Sequence, residues 1–178
     1  MRLENLVRRT CEKFARKLPT WTITVAENDP YLARHYIFQK DWIPSHLKKF
    51  LGWVPSIFIH EFKRGDSDDE YHNHPWYSSF SVILAGGYTE ERVQIVGGEY
   101  QITQKTFHPG MVNVIRDTDF HRVALLNGET TWTLFIAGRR TGESWGFLDV
   151  KAKEFIPWIE HVRRRARSSV SYSSPTAS

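Results

Sequence analysis

Apolar positions follow two periods along this chain. Leu3, Leu6, Val7, Phe14 and Leu18 return at helical spacing opposite a basic face, which predicts a helix over 2–18, stopped by Pro19. Residues 21–25 alternate as a strand does, and 31–38 is apolar and aromatic, readable as strand or short helix. Residues 44–50, with His46, Leu47, Lys48 and Lys49, read as a short helical insertion. From Ser56 the alternation becomes regular: Ile57, Ile59 and Glu61 share one side, Phe58, His60 and Phe62 the other. Further strands are predicted at 78–85, 92–96, 100–103, 111–115, 121–126, 132–137 and 145–150. Gly86-Gly87, Gly97-Gly98, Pro109-Gly110, 117–119 and Asn127-Gly128 punctuate them. Many short strands at such spacing predict a mainly β sandwich or barrel with flanking helices. Helical periodicity returns over 153–167 through Phe155, Trp158, Ile159 and Val162. The expected organisation is therefore a helix and lead-in packed on the barrel (1–55), the barrel (56–150), a C-terminal helix (151–167) and a serine-rich disordered tail (168–178).

Composition narrows the chemistry. With 178 residues, 40% hydrophobic and 25% charged, the chain suits one globular domain. Its single cysteine, Cys11, excludes an internal disulfide framework and a cysteine-built zinc site, and fits a reducing, cytoplasmic setting. Arg2, Glu4, Arg8 and Arg9 interrupt what would be the apolar part of a signal peptide, so secretion is not expected. Neither a membrane-spanning run nor a strongly apolar surface helix is present, so no membrane partner is expected. The net charge is +4, and much of the excess sits in Arg163, Arg164, Arg165 and Arg167 at the end of the last predicted helix, where the helix dipole favours cations. A nucleic-acid binder would spread its basic face more widely, so nucleic acid is not the expected partner.

Eight histidines are the notable chemical resource. His72-Asn73-His74 places two imidazoles two residues apart, which on a strand turns them to one side as half of a metal site. His121, opening a later strand after the 117–119 turn, is the candidate third ligand. Were His121 not a ligand, Asp117 or Asp119 would complete a two-histidine, one-carboxylate triad. A three-histidine zinc hydrolytic site is also chemically allowed, but no general base stands nearby in sequence.

Gly65, His72, His74 and Gly86, followed downstream by His121, resemble the motifs of the cupin superfamily over roughly 56–150. The resemblance implies a cupin-like double-stranded β-helix, a jelly-roll barrel. Ser78 or Ser79 stands where cupins carry a glutamate, and Arg116 and Thr118 replace the proline and glycine of the second motif. A three-histidine set without that carboxylate resembles the thiol dioxygenases, which implies a non-haem Fe(II) dioxygenase acting on a small molecule, with Zn, Mn or Ni as other metals. His72-Asn73-His74-Pro75-Trp76, Gly86-Gly87-Tyr88 and Trp132-Thr133-Leu134-Phe135 also resemble cupin-like proteins of phages and bacteria. A homodimer is implied by resemblance only.

Around this set, Trp76 is the expected pocket aromatic, and Arg139 and Arg140 are candidates to grip a substrate carboxylate or phosphate. Arg92 and Arg116 are lesser candidates. His60 reads first as a core histidine, with a role behind the ligands, shared with Ser79, as the sharper alternative. Asp66, Asp68, Asp69 and Glu70 lack the pattern of a calcium loop and read as a solvated turn. No catalytic acid or base is assigned. The alternative function is a cupin that has lost catalysis and binds a sugar or a protein partner.

Overall fold

The computed structural model describes residues 2–26, 29–51, 53–66, 70–128 and 130–170. In chain order these form α1 (Arg2–Ala15), β1 (Thr20–Ala26), β2 (Asp29–Phe38), two 3-10 turns and α2 (Lys48–Leu51). There follow β3 (Ser56–Phe62), β4 (Glu70–His72), β5 (Ser78–Ala85), β6 (Tyr88–Val96), β7 (Glu99–Phe107) and β8 (Val112–Arg116). The chain continues through β9 (Phe120–Leu126), β10 (Thr131–Ala137), β11 (Gly146–Asp149), β12 (Glu154–Pro157) and α3 (Trp158–Val170).

Twelve described strands make two antiparallel six-stranded sheets, ordered β1-β2-β3-β10-β5-β8 and β12-β11-β4-β9-β6-β7. The alternation read from the sequence sorts the faces of β3. Phe58, His60 and Phe62 turn into the barrel, and Ile59 turns out to meet α1. Inside, Leu32, Phe62, Ile83, Tyr88, Phe107 and Val123 form one apolar cluster, and Phe58, Ile115, Phe135 and Ala137 another. A third lies outside the first sheet, where Cys11 and Ala15 of α1 press on Ile59, Ala85 and Trp132. Fold class is therefore as expected: mainly β, two packed antiparallel sheets, few helices.

Several elements differ in detail from the expectation. The lead-in supplies β1 and β2, two strands of the first sheet. Residues 154–157 are a strand on β11, so the last helix starts only at Trp158, after Pro157, whose missing N–H suits the end of a strand. That helix runs to Val170, so it includes the first three residues of the expected tail; 171–178 lie outside the described residues, as do 67–69 of the acidic turn. On α1 the buried stripe is Val7, Cys11 and Ala15, whereas Leu3 and Leu6 stay exposed. Small residues on that stripe let the helix come close to the sheet. Arg8 donates to the Thr130 carbonyl at 2.9 Å, and Glu4 accepts from the Gly86 N–H at 2.8 Å. Among the described residues, no helix is long and apolar enough to cross a membrane.

Candidate metal centre

Three strand segments bring the histidines together. β4 is only three residues long, and His72 ends it, paired directly with His121 of β9. His74 therefore lies beyond the strand, not on it, and strand alternation does not aim it. The side chain of Asn73 does that positioning. Its Oδ1 accepts from the Gly146 N–H at 2.8 Å, its Nδ2 donates to the Asp117 carbonyl at 2.8 Å, and its own N–H reaches the Gly146 carbonyl at 3.1 Å. Gly65 closes the approach to β4. A Cβ there would stand 2.8 Å from the carbonyl oxygens of Val123 and Ala124, so only glycine lets the loop lie against β9. Asp66 then locks it, its carboxylate accepting from Val123 N–H at 2.6 Å.

The ring centroids of His72, His74 and His121 lie 4.8–5.1 Å apart, and one nitrogen from each falls within 4.8 Å of the others. Nε2 of His74 and Nε2 of His121 are 2.9 Å apart. Burial holds the His72 imidazole down to about 4, helped by the neighbouring His121, and holds His74 well below the usual histidine range. Both rings are thus neutral at pH 7, as metal ligands must be.

Behind His121 stands a carboxylate that the sequence reading missed. Glu90, 1% exposed, accepts from His121 Nδ1 at 2.8 Å. Burial pushes this carboxyl up, but the His121 hydrogen bond and the Arg92 guanidinium outweigh it, and the result is about 2. An ionised Glu90 fixes the His121 proton on Nδ1 and leaves Nε2 bare toward His74. Arg92 pairs with Glu90 and also donates to Asp119 at 3.0 Å and to Asn113 Oδ1 at 2.6 Å. Asn113 in turn donates to Glu90 and, at 3.0 Å, to the Tyr88 hydroxyl. Burial, then Glu90, pushes that phenol up to about 12. The signal available in the sequence was the alternation Tyr88, Glu90, Arg92 on one strand face just after Gly86-Gly87. An acid and a base two residues apart on an inward face require buried partners.

Other candidates fall at graded distances. Trp76 lies beside the ligand set, its ring 5.5 Å from His74 at 29° and 5.8 Å from Phe135. His60 is buried, stacks on Phe135 at 4.7 Å and accepts from Arg34 Nε at 3.1 Å, so Phe135 stands between it and His74. Ser79 is fully buried, and its hydroxyl faces the Ile115 carbonyl at 3.4 Å. Arg139 and Arg140 are exposed, and the fold uses their backbones: the Arg139 carbonyl accepts from Tyr77 N–H, and Arg140 bridges to Trp76. Asp119 is committed to Arg92 and to the Arg116 N–H, which removes it as an alternative ligand. Asp117 instead lines a cleft of about 350 Å³ that opens beside His74.

No protein-family model matches the sequence, and no curated protein matches it. Solved structures do. A vicilin from Corylus avellana (hazelnut) superposes with a TM-score of 0.51 at 13% identity, over 70% of this chain and 33% of its own. A vicilin from Solanum melongena gives 0.50 at 14% identity, over 66% and 31%. An Fe(II)-HppE structure gives 0.49 at 10% identity, over 69% and 57%. This chain thus spans about a third of each vicilin and little more than half of HppE. Likeness at these identities establishes the fold and nothing finer: the chain has the cupin-type jelly-roll fold, carrying a three-histidine cluster able to hold a divalent metal.

Proposed function

We propose that this protein binds one divalent metal ion through His72, His74 and His121 and acts on a small molecule as a non-haem Fe(II) dioxygenase of the three-histidine type. The observation that carries the reading is the 2.9 Å approach of two part-buried imidazole nitrogens, with a third ring beside them. With the His121 proton held on Nδ1 by Glu90, that contact needs either a proton on His74 Nε2 or a cation between the rings. Three histidine nitrogens that lie within 4.8 Å of one another can hold a divalent ion, and imidazole suits iron, zinc and nickel alike.

Iron(II) bound there would supply the electrons that activate dioxygen. The chain's own residues do the rest. Three neutral imidazoles leave the ion its full charge, and Glu90 keeps His121 aimed. Trp76 and Phe135 wall the His74 ring on its apolar side, and the cleft beside His74 gives a path in.

Metal analysis of protein purified without a histidine tag tests the first step. Iron should load at one equivalent and be lost in His72→Ala and His121→Ala. If wild type takes up no iron, manganese, nickel or zinc, the reading falls. Nitric oxide added to the Fe(II) protein tests the second. An iron–nitrosyl paramagnetic signal reports open coordination positions, and its absence with metal bound would favour a binding module without catalysis.

A further inference from the structure

The connection between β2 and β3, residues 39–55, is long for neighbouring antiparallel strands, and it has two parts. Its base is fixed. The Lys40 N–H donates to the Ser56 hydroxyl at 3.0 Å, Ile43 is buried, and the Trp42 ring lies 6.3 Å from Tyr36 and 6.5 Å from Phe38. Its tip faces solvent. The 3-10 turns Lys40–Trp42 and Ser45–Leu47, and α2 after them, bury no residue of their own. Trp53 is 76% exposed and Phe50 64%, and Leu47 and Leu51 stand exposed on the same segment. Large apolar side chains gathered in water at this density mark an interaction surface. No helical period runs through them, so the sequence reads as a small insertion and not as an amphipathic helix.

Charge says what that surface meets. Lys40, Lys48 and Lys49 stand on the segment against one acid, Asp41, whose carboxylate accepts from Gln39 Nε2 at 3.1 Å. Among the described residues none of the three ammonium groups has an ion-pair partner, and that of Lys49 lies over the Phe50 ring at 4.8 Å. Lysine is depleted from the cores of protein interfaces. A second copy seated on the tip would bring two such positive clusters together. At an anionic bilayer the same mixture fits: Trp and Phe enter the headgroup layer, and neighbouring lysines reach the lipid anions along their own aliphatic stems.

The loop also stands at a defined end of the barrel. Ser56 pairs with Ala137 and Ala137 with Ser79, so the loop, the exposed Arg139 and Arg140, and the 73–77 segment all leave the first sheet at one end. Rings run from the loop to the histidines: Trp42 to Tyr36, Tyr36 to Phe58 at 5.3 Å, Phe58 to Phe135 at 6.3 Å, and Phe135 to His74 at 6.2 Å. The acids near this end, Asp117 and Glu143, belong to other connections, so the positive charge is the loop's own.

We propose that this tip, 47–51 with Trp53, docks the protein on an anionic lipid bilayer, Phe50 and Trp53 entering the headgroup layer and Lys48 and Lys49 pairing with lipid anions. Docking turns the histidine end of the barrel toward the membrane. The proposal needs no metal and does not rest on the proposed function.

The test is co-sedimentation of the full chain with vesicles of phosphatidylcholine, alone or mixed with phosphatidylserine, at low and high salt. Binding to the mixed vesicles should exceed binding to the neutral ones by about tenfold or more and should fall as salt rises. Lys48→Gln, Lys49→Gln should lose about thirtyfold on mixed vesicles, at about fivefold per lysine, and little on neutral ones. Phe50→Ser, Trp53→Ser should weaken binding to both. Lipids brominated near the headgroup should quench the tryptophan fluorescence of wild type, and Trp53→Phe should still bind yet lose most of that quenching. Binding to neither vesicle, binding indifferent to salt, or quenching unchanged in Trp53→Phe overturns the proposal. So does a dimer of the protein alone that Phe50→Ser, Trp53→Ser dissociates, because the tip is then a contact between copies.

Discussion

At the scale of single residues, the candidate centre depends as much on what stands behind the ligands as on the ligands. Glu90 accepts from His121 Nδ1 while buried and ionised, and Arg92 and Asn113 satisfy its remaining lone pairs. Glu90→Gln keeps the shape but removes the charge that sets the His121 tautomer. Partners of this kind are worth about 10–100-fold in metal affinity. Competition against a chelator should therefore show a loss of that size in Glu90→Gln, and a still larger loss in His72→Ala. An unchanged affinity in Glu90→Gln would mean that His121 does not ligate through Nε2. The direction of aim also depends on Asn73. Asn73→Ala leaves the Gly146 N–H and the Asp117 carbonyl without their side-chain partner, so it should weaken metal binding with His74 itself intact.

At the scale of elements, α1 shows how small side chains set a distance. Ala15 is 3% exposed and Ala85 of β5 is fully buried, both in the cluster that holds Trp132. Ala15→Leu overfills this contact and should cost about 1–3 kcal/mol, read as a lower urea midpoint at unchanged slope. Cys11 lies in the same contact, and burial pushes its thiol up. Labelling by a disulfide reagent should be slow in the native protein and fast in Ala15→Leu if that variant loosens the helix. These elements also show what patterning makes legible. Strands with one face in the barrel, such as β3 and β5, announce themselves through alternation, and so does the inward face of β3. The helix face does not. Leu3, Leu6 and Phe14 outweigh Val7, Cys11 and Ala15 in hydrophobicity, yet packing selected the smaller stripe because a close approach gains more than bulk. The strand expected at the histidine pair could not be bounded, because the three residues of β4 are too few to carry a period, and its place between β9 and β11 is decided by pairing from 49 and 75 residues away, a distance no local window sees. The histidine pair was legible for a partly different reason than the one that operates. His72 is on a strand, but Asn73 and not the pleat turns His74 inward. Glu90 stayed hidden because its role exists only once β6 lies beside β9.

At the scale of the whole molecule, the same burial that keeps His72 and His74 neutral makes the metal-free protein sensitive to acid. His72 stands at about 4 and His74 and His60 well below the ordinary value of 6.5, in each case through burial first. An unfolded chain takes up those protons as pH falls through 6.5 and the folded chain does not, so folding stability is lost between pH 6.5 and about 4. Glu90 acts lower down. Its carboxyl, at about 2 in the fold against 4.5 ordinarily, adds stability that is complete above 4.5 and lost as pH falls toward 2. Urea midpoints of the metal-free protein should thus decline in two stages, and Glu90→Gln should remove only the lower one. A bound metal opposes the upper stage, because it binds the neutral imidazoles of the fold alone. At a free concentration one hundred times its dissociation constant it adds about 2.7 kcal/mol, a rise in melting temperature of about 5–11 °C for a domain of this size. That rise should be present at pH 7 with iron(II) and shrink on acidification as protons compete for His72 and His74. A melting temperature indifferent to metal at pH 7, beside a full histidine-driven decline in acid, would mark the three rings as a buried polar cluster of the barrel and not as the metal centre proposed for it.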